Sequence, residues 1–290
     1  MSRSLFLRQN KDLFLFKFAD KNNTLSIPLD DVVKGSSKYS NFLIKDHGKA
    51  RNLYFISDDG RLVLESSVNR NQPHNLLLEY SRLMFASHIF NPEQNRAAIV
   101  GLGGGAMVHF LNHFAPAQKL DIIEIDPMIV DCADKYFNVR SNINSNIIIQ
   151  DAFKYFDNCD KKYDTIYFDA FLKPVNYNSN GVEVDSTGIP SFVKTQKFLK
   201  NIQKNLTQNG FVIFNLHSHN LLNKDIDIIR SAFPHIYSFP GAVSGNYIVA
   251  ATPFNHVSNK RLLANNARKL DDKRLANFSF IDLLLLCEQY

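Results

Sequence analysis

The chain has 290 residues, 45% of them hydrophobic and 21% charged, enough apolar material for a large core in one large domain or two unequal ones. Its formal net charge of +5 has no long basic run behind it, which argues against nucleic-acid binding. Cys132, Cys159 and Cys287 are scattered without paired spacing, so a disulfide framework and a zinc site are not expected, whereas a reducing, cytoplasmic setting is.

The first residues mix apolar side chains with Arg8, Lys11, Asp12 and Lys17, a pattern that makes neither a secretory core nor a membrane span. Up to His74, the short runs LFLFKF, NFLIKD, NLYFIS and RLVLESS alternate with turn signals such as Asp46-His47-Gly48 and Asp58-Asp59-Gly60. This predicts a small antiparallel β-domain over 1–72. After Pro73, apolar residues from Leu76 to Ile89 recur at three- and four-residue steps and predict a helix that stops near Asn91-Pro92. Strands and helices then alternate. The strands are AAIVGL, LDIIEID, NIIIQD, YDTIYFDAF, GFVIFNLH and NYIVAAT; helices run through MVHFLNHF, MIVDCADKYF, FKYF, Thr195 to Leu206 and Lys224 to Phe233. Doubly apolar strands between amphipathic helices predict a parallel sheet covered on both faces over 73–255. Leu172 to Pro190 is long and irregular, as lids and binding loops are. From Asn259 to Arg274 basic and apolar residues interleave at helical spacing, an amphipathic surface helix within a helical tail over 256–290.

IVGLGGGAM closes the first of these strands and opens a helix, so Gly101, Gly103, Gly104 and Gly105 present free backbone N–H groups at a positive helix end. A tight structural turn needs glycine as well, and dinucleotide enzymes use a similar one, so the context has to decide. Glu124 ends the next strand about twenty residues on, where an acid accepts from ribose hydroxyls. Asp151 ends the third strand, within reach of an adenine amino group, and Asp169 ends the fourth. Each acid could instead cap the helix that follows. Asp126, just before Pro127, is the expected cap, which leaves Glu124 for the ribose. Together the turn and the three acids mark the ligand crevice of an open α/β sheet. His109 and His113 stand at i, i+4 with no glutamate to complete a metalloprotease pattern, so core or surface histidines and no metal are expected. His217 and His219 follow GFVIFNL at the ligand rim, and His217 is kept as a substrate-site candidate.

Taken in order, LEYSRLM, GLGGGA, IIEIDPMIVDCADKYF, QDAFKYF, YDTIYFDAF, IPSFVKTQKFL and LTQNGFVIFNL resemble the spermidine synthase (polyamine aminopropyltransferase) family, and specifically its divergent members. The resemblance runs from about Lys38 to Thr252. It implies an α/β fold with a small N-terminal antiparallel β-domain and a seven-stranded, Rossmann-like sheet of the class I S-adenosylmethionine-dependent methyltransferase type, commonly in homodimers. It also implies that Glu124 holds the ribose, that Asp151 and Ala152 lie at the adenine, and that Asp169 accepts the proton. The cofactor implied is S-adenosylmethionine or its decarboxylated form, and the partner a small-molecule amine.

The sequence departs from the family at three places. Gly104 stands where an aspartate usually meets the aminopropyl amine, and Ala170-Phe171-Leu172 lacks the second acid that follows the catalytic aspartate. Tyr80 matches the tyrosine of the pre-sheet helix, but Ser81 and Arg82 replace the histidine and glutamate after it. Arg82 would repel an amine and attract a carboxylate such as that of S-adenosylmethionine. Glu183 and Asp185, in the long segment, could supply a missing acid. The expected function is aminopropyl transfer from a decarboxylated S-adenosylmethionine-type donor to an amine; the alternatives are methyl transfer from S-adenosylmethionine and nucleoside binding without catalysis.

Overall fold

A computed structural model describes residues 30–170, 195–255 and 259–289. The first unit is an antiparallel meander in sequence order: β1 (Asp30–Ser36), β2 (Asn41–His47), β3 (Ala50–Ile56) and β4 (Leu62–Asn69). Alternation along its strands sends Phe42, Ile44, Leu53 and Val68 into the core. Gly48 makes the tight turn between β2 and β3 with φ 56. The run LFLFKF lies outside the described residues, and β1, with only Val32 and Val33 as apolar signal, was not foreseen.

The helix expected from Leu76 onward is two short ones, α1 (Glu79–Met84) and α2 (Ser87–Phe90). Leu76 is extended, bridging Val68. Tertiary bonds override the helical periodicity there: Asn277 brackets the Leu76 N–H and C=O at 3.0 Å each, and Arg82 Nε donates to Leu76 O at 2.9 Å.

The second unit continues with β5 (Arg96–Val100), α3 (Ala106–Phe114), β6 (Lys119–Glu124), α4 (Pro127–Phe137), β7 (Ser145–Ile149) and α5 (Ala152–Asp157). It then runs through β8 (Tyr163–Phe168), α6 (Gln196–Lys204), β9 (Leu206–His217), α7 (Leu222–Ala232), β10 (His235–Pro240) and β11 (Asn246–Thr252). The sheet order is β10-β11-β9-β8-β5-β6-β7, with β5 to β9 parallel and β11 antiparallel between β9 and β10. The antiparallel insertion and the reversal of strand order between β5 and β8 give the class I methyltransferase-like arrangement. β10, HIYSFP, went unread in the sequence because it is short and follows α7 directly.

Strand parity splits the core into two layers. Ile99, Ile122, Tyr167, Phe211 and Ile248 face the meander, α1 and α3, whereas Ile123, Phe168, Phe214 and Val249 face the opposite layer with α6 and α7. The tail adds α8 (Lys260–Asp272), α9 (Phe280–Leu285) and the two-residue β12 (Glu288–Gln289), which pairs with β10 at the sheet edge. Leu263, Ala267 and Leu270 are the buried stripe of α8, as its amphipathic spacing predicts. Among the described residues no helix is long and apolar enough to cross a membrane.

Phe280 carries much of the docking of this tail: it is fully buried, with Phe114 at 5.5 Å and Phe278 at 5.1 Å between ring centroids. Phe280→Ala is expected to lower stability by about 3–5 kcal/mol, the usual cost of deleting a buried aromatic ring. The shift of the urea unfolding midpoint measures it, and a change under about 1 kcal/mol would mean that the tail is peripheral to the fold.

Candidate functional site at the carboxyl edge of the sheet

The glycine turn leaves β5 at the point where the strand order reverses. Gly101 has φ 93, and a Cβ there would collide with the backbone carbonyl of Asp169, so the turn and the end of β8 touch through bare backbone. Asp169 N donates to Val100 O at 2.9 Å, fixing the same junction from the other side. Gly103, with φ 53, has only the Ser66 side chain near the space a Cβ would fill, 3.5 Å away, which leaves a cradle that a ligand can approach. Gly104 differs. A Cβ on it would lie 2.9 Å from Ser66 Oγ and 3.0 Å from the Phe137 ring, so β4 and α4 close this part of the turn.

Glu124 is buried at the end of β6 and staples the turn: Oε2 accepts from Leu102 N at 2.9 Å and Oε1 from Asp126 N at 2.9 Å. Burial raises its carboxyl above the usual range, and the bonds from Asp126 and Leu102 offset part of that. Asp126 caps α4 by accepting from Met128 N at 2.9 Å and also accepts from the Ser37 hydroxyl, so it has the capping role expected of it. Asp151 caps α5, with Oδ1 accepting from Phe153 N at 2.7 Å; Ala152 is buried behind it. Gln150 N donates to Glu124 O at 3.0 Å, which keeps this strand end beside the ribose candidate.

Asp169 follows β8. Its Oδ1 accepts from Asn215 Nδ2 at 2.7 Å, and its Oδ2 lies 3.4 Å from the Tyr80 hydroxyl. That hydroxyl is also 3.0 Å from Glu65 O on β4, so its single proton serves one of the two acceptors. Burial pushes the Asp169 carboxyl up to about 7, although the bonds from Asn215 and Tyr80 pull the other way. Burial, with the Asp169 charge next in size, holds the Tyr80 phenol well above its ordinary value, so it remains a donor. A carboxyl poised near neutrality and a permanent donor can together take a proton from, and orient, a ligand amine.

The structure thus brings Gly101, Gly103, Glu124, Asp169 and Tyr80 together through named bonds and close approaches, with Asp151 and Ala152 on the adjacent strand end. Arg82 is buried, and its guanidinium bonds to the carbonyls of Leu76 and Leu77. His217 is half-buried at the end of β9, opposite Asn246 in register. His219 is engaged elsewhere, with Nε2 on Asp225 Oδ2 at 2.9 Å and Nδ1 accepting from Leu221 N at 3.3 Å. Glu183 and Asp185 lie outside the described residues. His109 Nε2 donates to Phe137 O at 2.8 Å, and His113 stacks on His74 at 3.9 Å. Among the described residues no group of three or more metal-type side chains converges. Sequence reasoning missed Asn215 and Asn246. The available signal was a lone amide in an apolar strand in each case, near the end of FVIFNLH and at the start of NYIVA.

Strand order and turn define a class I methyltransferase-like nucleoside fold. Within that class, residues 78–244 match the spermine/spermidine synthase domain, more than half of the chain, and the chain belongs to the spermine/spermidine synthase family. A polyamine aminopropyltransferase of Vibrio vulnificus is 28% identical over 239 residues, covering 81% of this chain and 75% of that protein. An eEF1A lysine and N-terminal methyltransferase of Xenopus laevis is 29% identical over 151 residues, 50% of this chain but 21% of that protein, so only about a fifth of this relative's length is spanned. A solved spermidine synthase in complex with the transition state analogue AdoDATO matches with TM-score 0.68 at 15% identity, over 88% of this chain and 84% of that one. Human methyltransferase-like protein 13 in complex with SAH matches with TM-score 0.58 at 22% identity, over 67% and 91%. The structural likenesses establish the fold, and the sequence relatives support an aminopropyl or methyl transferase.

The raised Asp169 carboxyl carries a stability signature. A group whose folded-state pKa, about 7, exceeds its unfolded value favours folding at acid pH and loses that contribution as the pH rises through 7. Asp169→Asn keeps the acceptor for Asn215 and cannot ionise. It is expected to be more stable than the unsubstituted protein at pH 8 and to lose that advantage at pH 4, as read from urea unfolding midpoints at both pH values. A stability difference that does not vary with pH would contradict the easily protonated carboxyl.

Proposed function

We propose that the chain transfers an aminopropyl group from a decarboxylated S-adenosylmethionine-type donor to a small-molecule amine. The observation that carries the reading is the Asp169–Tyr80 pair beside the Gly101–Gly103 cradle: a carboxyl raised to about 7 and a protonated phenol, 3.4 Å apart at the crevice rim.

The residues present fit such a donor. Gly103 leaves backbone open to it, Glu124 offers acceptor lone pairs beyond the two N–H groups it staples, and Asp151 keeps Oδ2 beside the cap bond. When bound, the donor supplies an electrophilic carbon next to a positively charged sulfur and a neutral thioether as leaving group. Asp169 accepts the proton that leaves the acceptor's ammonium, so that the nitrogen lone pair is free to form the new C–N bond as the C–S bond breaks. Before that proton transfer the ionised carboxylate holds the cationic amine, and after it the neutral acid keeps the nitrogen in place by hydrogen bonding. Tyr80 orients the carboxylate or the amine through its hydroxyl. Holding both reactants at the edge of one sheet supplies the remaining advantage by proximity.

A second reading, methyl transfer from S-adenosylmethionine, is favoured by Gly104. No carboxylate projects from the turn there to meet an aminopropyl ammonium, and Ser66 and Phe137 fill the position instead. A nucleoside binder without turnover is the third reading.

Calorimetry with both donors followed by a turnover assay over a panel of amines separates the three. Tighter binding of the decarboxylated donor with aminopropylated product is expected; preference for S-adenosylmethionine with methylated product would replace the proposal by the second reading, and tight binding without product by the third. Glu124→Ala is expected to abolish donor binding. Asp169→Asn is expected to keep it and lower kcat by about 100-fold or more, the usual weight of a general base. Equal losses of binding in both variants would contradict this division of roles. In the unsubstituted protein kcat/KM should rise with pH through about 7 as Asp169 ionises, a limb that should be absent from Asp169→Asn.

A further inference from the structure

Asp169, Asn215 and Asn246 share one parity on their strands. Counting in steps of two, Asp169 follows Thr165 and Tyr167 on β8, Asn215 follows Phe211 and Ile213 on β9, and Asn246 precedes Ile248 and Ala250 on β11. All three side chains therefore leave the sheet on the face that packs against α1 and the meander. Asn215 is paired in register with Ile248, so Asn246 is its diagonal neighbour on that face. The result is a row of amides running to the carboxylate: Asn246 Nδ2 donates to Asn215 Oδ1 at 2.8 Å, and Asn215 Nδ2 donates to Asp169 Oδ1 at 2.7 Å.

The outer end of the row is anchored. Asn246 O accepts from Gly241 N at 2.8 Å, and Asn246 N donates to Ser244 Oγ at 3.3 Å, closing the loop between β10 and β11. Glu79 grips that same loop, its carboxylate accepting from Ala242 N at 3.1 Å, Val243 N at 2.9 Å and Ser244 N at 3.0 Å. Glu79 is the neighbour of Tyr80 on α1, and Tyr80 reaches the other oxygen of Asp169. The bonds thus close a circuit from α1 through the loop, Asn246, Asn215 and Asp169 back to α1.

We propose that Asn215 and Asn246 are positioning residues for Asp169, committing Oδ1 to the protein so that Oδ2 alone is presented to the reacting amine. The inference rests on the transferase reading and adds to it the groups that aim its base. An ionised carboxylate only accepts, so the Asn215 amide must turn its NH2 to Asp169 and its oxygen to Asn246. Asn246 makes that orientation the satisfied one, because its NH2 donates to the Asn215 oxygen and in the flipped amide would face another NH2. Two buried amides cost desolvation, which leucine would avoid. Both donors are neutral, so they hold the carboxylate without neutralising it.

The test is a titration that needs no substrate: the Asp169 carboxyl followed by 13C NMR in labelled protein and assigned by its absence in Asp169→Asn. Asn215→Leu removes a donor to the ionised form, and its Asp169 midpoint is expected to rise by about one pH unit, the scale of one hydrogen bond to a charged group. Asn246→Leu should raise it by less, since Asn215 stays but loses its orienting partner. In both variants the kcat/KM limb should move with the NMR midpoint, and kcat should fall about 10-fold with KM nearly constant, which a general loosening of structure would not produce. Should Asn215→Leu fail to fold, Asn215→Ser removes the same donor with less bulk, and the same rise is expected. A midpoint unchanged in folded Asn215→Leu or Asn215→Ser overturns the proposal. A midpoint that moves in a protein transferring nothing from either donor would support the hold of Asn215 on Asp169 while sinking the transferase reading.

Discussion

Two carboxylates, the buried Glu124 and the half-buried Asp169, stand at the carboxyl edge of the sheet held only by neutral donors among the described residues, and the rest of the crevice is organised around keeping them there. Backbone N–H groups of Leu102 and Asp126 hold the first, and Asn215 and Tyr80 the second. Three residues before Glu124, on the same strand, Asp121 shows the contrary solution: Arg96 and Lys161 pair with it at 3.1 and 2.9 Å, and its carboxyl is lowered although burial alone would raise it. At Asp121 the protein supplies the cations and the charge is spent internally. Glu124 and Asp169, both raised by burial, keep their capacity for a ligand's cation or proton. Such groups detract from stability when no ligand is bound, which is the usual mark of a site shaped for binding.

The sheet's alternation makes this arrangement reachable. Glu124, Asp169, Asn215 and Asn246 all have the parity of the layer that faces α1 and the meander, so one face carries this polar row, whereas Asp121 with its cations has the opposite parity. The meander belongs to the site as well as to the fold. Glu65 O on β4 competes with Asp169 for the Tyr80 hydroxyl, and Ser66 closes over Gly104. Without that layer Asp169 would be hydrated, and the burial that raises its carboxyl would be lost.

The turn and the acids were legible in the sequence because they sit where periodicity changes, at the ends of strongly apolar strands, and that is where crevice residues of α/β sheets must lie. Asp126 was legible as a cap because Pro127 can occupy a first helical turn. What escaped was whatever depends on contacts across the fold. Arg82 reads as a site cation on a helix but is drawn to the Leu76 and Leu77 carbonyls by the extended chain before α1, an extension imposed by Asn277 some 200 residues later. Asn215 looks like an interruption in a core strand until Asn246 arrives beside it by the antiparallel insertion of β11, a pairing that no local pattern encodes. β10 is too short to outweigh the helix before it.

Gly104 bears on which donor the crevice distinguishes. A carboxylate at that position would put a negative charge on the floor of the cradle, attracting a donor that ends in an ammonium alone and repelling one that also carries a carboxylate. With Ser66 Oγ and the Phe137 ring there instead, the floor is neutral and that electrostatic difference is absent. On the transferase reading, discrimination between the two donors therefore cannot come from the glycine turn. It has to come from charge elsewhere around the donor's tail, and Asp169 is a candidate, its backbone touching Gly101 and its side chain held by Asn215 and Tyr80. One carboxylate would then serve both to receive the acceptor's proton and to favour a cationic tail, which ties donor choice to the same ionisation that governs the chemistry.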